Sequence, residues 1–195
     1  MNSLSGLKKL LNSNEAVLWS GKPVKKAFIV SGLVSIPFGL IFLAFSIFIM
    51  WTMTSTGAPG FTILFVLPFF LAGFAIAFGP ALFQLLRYRN TEYMITDKRI
   101  ITQTGAIGLD TRFVDLEKIQ EVYVQIGLMD RLLGTGTLYA MTAGFSGFVP
   151  RSGYGYRYGG FYGNRPSFAG LKEPYKVQKL LQEAIENLRR DKAEF

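Results

Sequence analysis

Sixty consecutive residues, 27 to 86, contain no Asp, Glu, Lys or Arg, and most of them are Phe, Leu, Ile, Val, Ala and Gly. A hydrocarbon layer about 30 Å thick is crossed by about 20 apolar helical residues, so this stretch has room for two crossings and a turn. The turn is legible as TSTGAPG at 54–60, where Gly57, Pro59 and Gly60 break a helix and leave candidate spans at 27–53 and 61–86. A pair of helices buried in a soluble core would each keep a polar face, whereas these are apolar all round. The expectation is a transmembrane hairpin. Pro37, Pro68 and Pro80 are expected to kink its helices rather than end them, because neighbours in a membrane bundle re-satisfy the freed carbonyls.

Charge at the flanks predicts orientation. Lys22, Lys25 and Lys26 precede the first span and Arg87 and Arg89 follow the second, while the turn is uncharged. By the positive-inside rule this is a multi-pass protein of the plasma (inner) membrane with both termini cytoplasmic. A cleaved signal peptide does not fit, since the first apolar run is too long and follows a polar stretch of some two dozen residues. The expected organisation is a cytoplasmic N-terminal segment (1–26), the hairpin (27–86) and a cytoplasmic domain (87–195). Of the net charge of +8, the first segment holds five lysines against Glu15 and the last holds sixteen basic against twelve acidic side chains. Leu4, Leu7, Leu10 and Leu11 with Lys8 and Lys9 suggest a short amphipathic turn that lies on the bilayer, packs on the domain or frays.

After Arg89 the pattern becomes short and alternating. The runs 91–96 and 99–104 flank Asp97-Lys98, a two-residue turn, and read as a hairpin; 111–116, 120–126 and 136–142 read as three further strands. GLMDRLLGTG at 127–136 suits one helical turn ending at Gly134. Strands following one another without intervening helices predict an antiparallel barrel or sandwich. The last element is an amphipathic helix opened by Pro174, with Val177, Leu180, Leu181, Ala184, Ile185 and Leu188 on one face.

The order EAVLWSGKP, two spans, YMITDKRIITQTGAIG and DLEKIQEVYVQIGLMDRLLGTGTL resembles the membrane-anchored bacterial and archaeal PH-like domain proteins, over nearly the whole chain. FAGLKEPYKVQKLLQEAI at 168–185 is similar to that family's last strand and capping helix. The resemblance implies a membrane α-helical hairpin plus a mainly-β, α+β domain: a bent antiparallel sheet of about seven strands, or partly open barrel, capped by the C-terminal helix. Such a fold carries lipid, peptide and protein binding alike, so no ligand transfers with it.

The residue inventory argues against catalysis. There is no Cys and no His, so the strongest nucleophile, the commonest acid-base group and the thiolate metal sites are missing. Asp97, Asp110, Asp115, Glu117, Glu121 and Asp130 remain, scattered through turns and strand ends. No cofactor motif is present, and neither Gly134-Thr135-Gly136 nor the later glycines make a phosphate loop.

The departure from the family pattern is a long insert at about 143–167 containing RSGYGYRYGGFYGNRP. Loops of this length inside compact domains are uncommon. Its Arg151, Tyr154, Tyr156, Arg157, Tyr158, Tyr162 and Arg165 suit a protein interface, including contact with a second copy, where Tyr supplies rigid area and Arg forked hydrogen bonds. They also suit anionic headgroups, together with Lys98 and Arg99 of the turn. Nucleic acid ranks last, since three arginines make a modest footprint. A plain solvated insertion is the bland alternative, as charged turn residues are for Lys98 and Arg99. Arg131 reads as an anchor of its corner. Non-catalytic protein binding or assembly at the membrane is the leading expectation, headgroup recognition the second, and an enzyme using the dispersed carboxylates the remote third.

Overall fold

Residues 4–143 and 166–193 are described in the computed structural model. Among the described residues seven strands form two antiparallel sheets. The first takes β1 (Val17–Gly21), β2 (Glu92–Thr96), β3 (Arg99–Thr104) and β4 (Asp110–Asp115) in that order; the second takes β5 (Ile119–Gln125), β6 (Thr135–Thr142) and β7 (Ser167–Lys172). β1 was not expected. It lies before the apolar stretch yet pairs with β2 after it, Gly21 opposite Tyr93 and Val17 opposite Thr96. The N-terminal segment thus supplies part of the sheet.

The mixed helix and antiparallel sheet expected from sequence are present, and among the described residues the two sheets do not close into a barrel. Other groups occupy the places where closure would occur. On the edge of β7 the Tyr93 hydroxyl accepts from the Ala169 N–H at 3.1 Å and donates to the Ala169 carbonyl at 3.2 Å, while the Val24 N–H donates to the Gly170 carbonyl at 2.8 Å. At the β5 edge, Gln178 donates to the Val122 carbonyl at 3.0 Å and Arg189 to the Ile119 carbonyl, both from α6 (Pro174–Ala193). Edge groups satisfied this way have no call on another strand.

Alternation places the core. Tyr93, Ile95 and Ile100 point inward from the first sheet, Leu138 and Phe168 from the second, and Val177, Leu181 and Ile185 of α6 complete the cluster. Each such side chain contributes on the order of 1.5–3 kcal/mol by leaving water. Met94 and Ile101 face the other side of the first sheet, where Leu7 of α1 (Leu4–Lys8) buries them. Of the alternatives open for the N-terminal leucines, the structure has packing on the domain.

The apolar stretch forms α2 (Lys25–Leu33), α3 (Ile36–Ser55) and α4 (Ile63–Arg89). Pro37 has no N–H to offer the preceding turn, and the helix assignment lapses at Val34-Ser35 although both keep right-handed helical angles. α4 runs through Pro68 and Pro80 as one helix of 27 residues. Gly57, at φ 73°, makes the turn. α3 and α4 pack backbone to backbone: a Cβ at Gly39 would overlap Ala77, and one at Gly73 would sit 3.0 Å from the Leu43 nitrogen. Small residues at a helix crossing are the membrane solution to close packing. Both helices are long and apolar enough to cross a membrane, and only 11% and 17% of their most apolar windows are buried. Their apolar surface faces outward, not into a core.

Strand direction gives the domain two distinct rims. α2 and α4 meet the sheet at the Gly21/Tyr93 end, the proximal rim, and the β2–β3 turn lies at the opposite, distal rim.

Candidate functional site

The distal rim gathers the turn that holds Lys98 and Arg99, the β4–β5 turn and the end of β6. Arg99 lies opposite Asp115, the Leu116 N–H donates to the Lys98 carbonyl at 2.9 Å, and Ile119 lies opposite Thr142. The insert therefore leaves from this rim at Ala143. It returns at Pro166, whose carbonyl accepts from the Ala140 N–H at 3.1 Å. Arg151, Tyr154, Tyr156, Arg157, Tyr158, Tyr162 and Arg165 lie outside the described residues.

The two turn cations have different surroundings. Lys98 is exposed. Arg99 places its fork on Glu15, Nε to Oε1 and Nη2 to Oε2 at 2.8 Å each, and Nη2 also donates to the Leu10 carbonyl at 3.1 Å. Its guanidinium stands 4.7 Å from the centre of the Phe113 ring. Thr96 ties the turn together: its hydroxyl lies 2.8 Å from both Glu15 Oε1 and the Arg99 carbonyl and accepts from the Arg99 N–H at 3.0 Å. Burial would raise the Glu15 carboxyl, but hydrogen bonds from Arg99, the Asn12 N–H and Thr96, with the arginine's charge, outweigh it and hold the group down at about 2. Asp97 accepts from the Ala16 N–H at 2.9 Å. The arrangement locks the N-terminal segment to the turn. Sequence showed ITDKR but not its acidic partner, 84 residues away.

At the proximal rim Lys22 Nζ stands 2.9 Å from Glu92 Oε1, whose side chain is 1% exposed. The contact is an ion pair without hydrogen-bond geometry, and neither Glu92 oxygen has a hydrogen-bond partner among the described residues. Nearby, α5 (Leu128–Leu133) fills the expected corner and ends at Gly134 in the left-handed conformation, φ 64°. Buried Asp130 anchors it, accepting from the Gly127 N–H at 3.0 Å and the Thr135 hydroxyl at 3.2 Å. Arg131, expected to anchor this corner, has its side chain exposed.

The carboxylates do not converge. Asp110 pairs with Arg112 at 2.9 Å and Asp115 with Lys118 at 2.7 Å, both on the surface, while Asp97 and Asp130 serve backbone N–H groups. Glu117 and Glu121 are exposed. Among the described residues no cluster of three or more Asp, Glu, His or Cys could hold a metal ion. What remains at the distal rim among the described residues is exposed Lys98 and the two ends of the insert.

A family model for the bacterial PH domain matches residues 27–185. No curated protein and no solved structure matches the chain. The matched span takes in both apolar helices, six of the seven strands and most of α6. The chain belongs to the bacterial PH domain family.

Proposed function

We propose that this bacterial PH-domain protein is held in the plasma membrane by its two helices and presents its domain on the cytoplasmic side as a non-catalytic module for a protein partner or a second copy of itself. PH-like domains in general are binding modules, which supports the class of function but names no ligand. The pairing of β1 with β2 supports a hairpin. Strands on either side of the apolar stretch can meet only if it returns to the side it left. The cations flanking both helices favour that side being the cytoplasm.

The observation that carries the choice of partner is the position of the insert's two ends, at or next to the rim away from the helices. A binding surface rooted there faces the cytosol, and its Tyr, Gly and Arg content suits a protein interface. Headgroup recognition is the second reading. Lys98 remains available to it, whereas Arg99 is engaged by Glu15.

The test is photo-crosslinking in cells from benzoylphenylalanine placed at Tyr156 or Tyr162 of the full chain. Covalent protein adducts, including adducts of the chain to itself, are expected. Adducts to lipid alone would overturn the protein-binding reading in favour of headgroups.

A further inference from the structure

Outside the apolar stretch 27–86, five large apolar side chains of the described residues are more than 60% exposed: Ile107 (96%), Leu109 (64%), Leu128 (62%), Leu132 (72%) and Tyr175 (62%). Single exposed apolar residues are ordinary on any surface. These five share one rim. Ile107 and Leu109 are on the β3–β4 loop, which leaves the sheet beyond Thr104 and Asp110, at the end where Glu92 pairs with Gln103. Asp110 and Arg112 at the foot of that loop are electrostatic neighbours of Arg87 in α4. Leu128 and Leu132 are on α5, whose Leu133 packs with Ala27 and Phe28 in the first turns of α2. Tyr175 follows Pro174, which lies against Gly136, just after the corner.

The rim thus surrounds the point where the chain passes into its apolar helices. Lys25, Lys26, Arg89 and Arg131 are exposed at the same end. Apolar tips with a tyrosine among cations are the composition of a surface that sits in the headgroup layer: the aliphatic ends reach the acyl boundary and the cations meet anionic lipid. The neighbours open to this rim are water or another protein on the one hand and the membrane that the helices enter on the other. Continuity of α5 with α2 selects the second.

We propose that the proximal rim is seated in the interface of the bilayer crossed by the chain's own helices, with the β3–β4 loop and α5 as two apolar feet on either side of them. This rests on the membrane reading above and goes beyond it, because a hairpin alone would leave the domain free to stand clear of the lipid. Two insertions flanking the helices fix its tilt and hold the distal rim outward.

The absence of native cysteine makes the test direct. Single cysteines at Ile107, Leu132, Lys98 and Phe45 of the full chain are labelled with an environment-sensitive fluorophore, in vesicles of phosphatidylcholine and phosphatidylglycerol carrying an acyl-chain quencher. Labels at I107C and L132C are expected to shift to shorter wavelength and lose most of their emission to the quencher, as the mid-helix F45C label does, while K98C behaves as in water. If 107 and 132 match 98 while 45 is quenched, the seating is wrong and the membrane reading survives. If 45 is not quenched, the membrane reading fails and the seating with it.

Discussion

The short strand β1 is fastened at both ends by an ion pair, and the two pairs are built on different principles. At the distal end Glu15 meets a forked arginine, a threonine hydroxyl and a backbone N–H, so its carboxylate is fully hydrogen-bonded. At the proximal end Glu92 is as deeply buried but has one lysine beside it and, among the described residues, no directed hydrogen bond. Buried charges are tolerated when attraction and hydrogen bonds together offset the loss of water. The distal pair meets that standard, and the proximal pair meets only half of it. The distal end should be rigid, and the proximal end, where the helices join, should be the softer of the two.

The largest expected effect comes from Arg99→Met, which strands Glu15 in a buried site and removes the tie to the Leu10 carbonyl. Loss of one partner of a buried pair costs on the order of 3–5 kcal/mol. Thermal unfolding of the reconstituted chain should show it, with hydrogen exchange rising first around Val17 and Thr96. A loss no greater than that of Lys22→Met would end the contrast drawn here.

Lys22→Met should cost less, on the order of 1–3 kcal/mol, the penalty of leaving a buried group without its partner. Exchange should rise around Gly21 and Tyr93. Changing both Lys22 and Glu92 to Met should recover most of that loss, because an apolar pair of similar volume avoids the desolvation cost altogether. A double variant as weak as the single would show that Glu92 has support beyond Lys22.

Acid tests the distal pair directly. Because Glu15 is held at about 2 in the folded chain, below its ordinary 4.5, its contribution is complete above about 4.5 and is lost as pH falls toward about 2. A pH series of unfolding midpoints should show that decline and lose it in Glu15→Gln; an unchanged decline in the variant would assign it to other carboxylates. The smallest effect is Phe113→Leu, which removes the ring under Arg99 and should cost about 0.5 kcal/mol at this partly exposed site. A loss as large as that of Arg99→Met would mean that the ring, not Glu15, holds the guanidinium.

Local pattern made much of this fold readable. The hairpin of β2 and β3 lies at 92–96 and 99–104 against an expectation of 91–96 and 99–104, because Tyr93, Ile95 and Ile100 alternate with residues of the other face. α6 begins at the expected Pro174. β1 escaped because VLWSG is an edge strand with Trp19 its one partly buried large side chain, so it shows no period. The ion pairs escaped because each joins residues on opposite sides of the apolar stretch. The exposed apolar residues of the proximal rim were in view as GAIGL and LMDRLL, but which end of the sheet they occupy follows only from register.

Because β1 and β2 are neighbours in the sheet but are separated by the whole apolar stretch, order of synthesis matters. β1 leaves the ribosome first and, at roughly 5–20 residues per second, waits several seconds or more before β2 follows. Until then VLWSG lacks the strand with which it pairs. If the two helices cross a bilayer as proposed, a chain whose second helix failed to return would hold the two strands apart, and the sheet could not form. Under that proposal, completion of the sheet would report correct insertion, and a misinserted copy would carry an open strand edge.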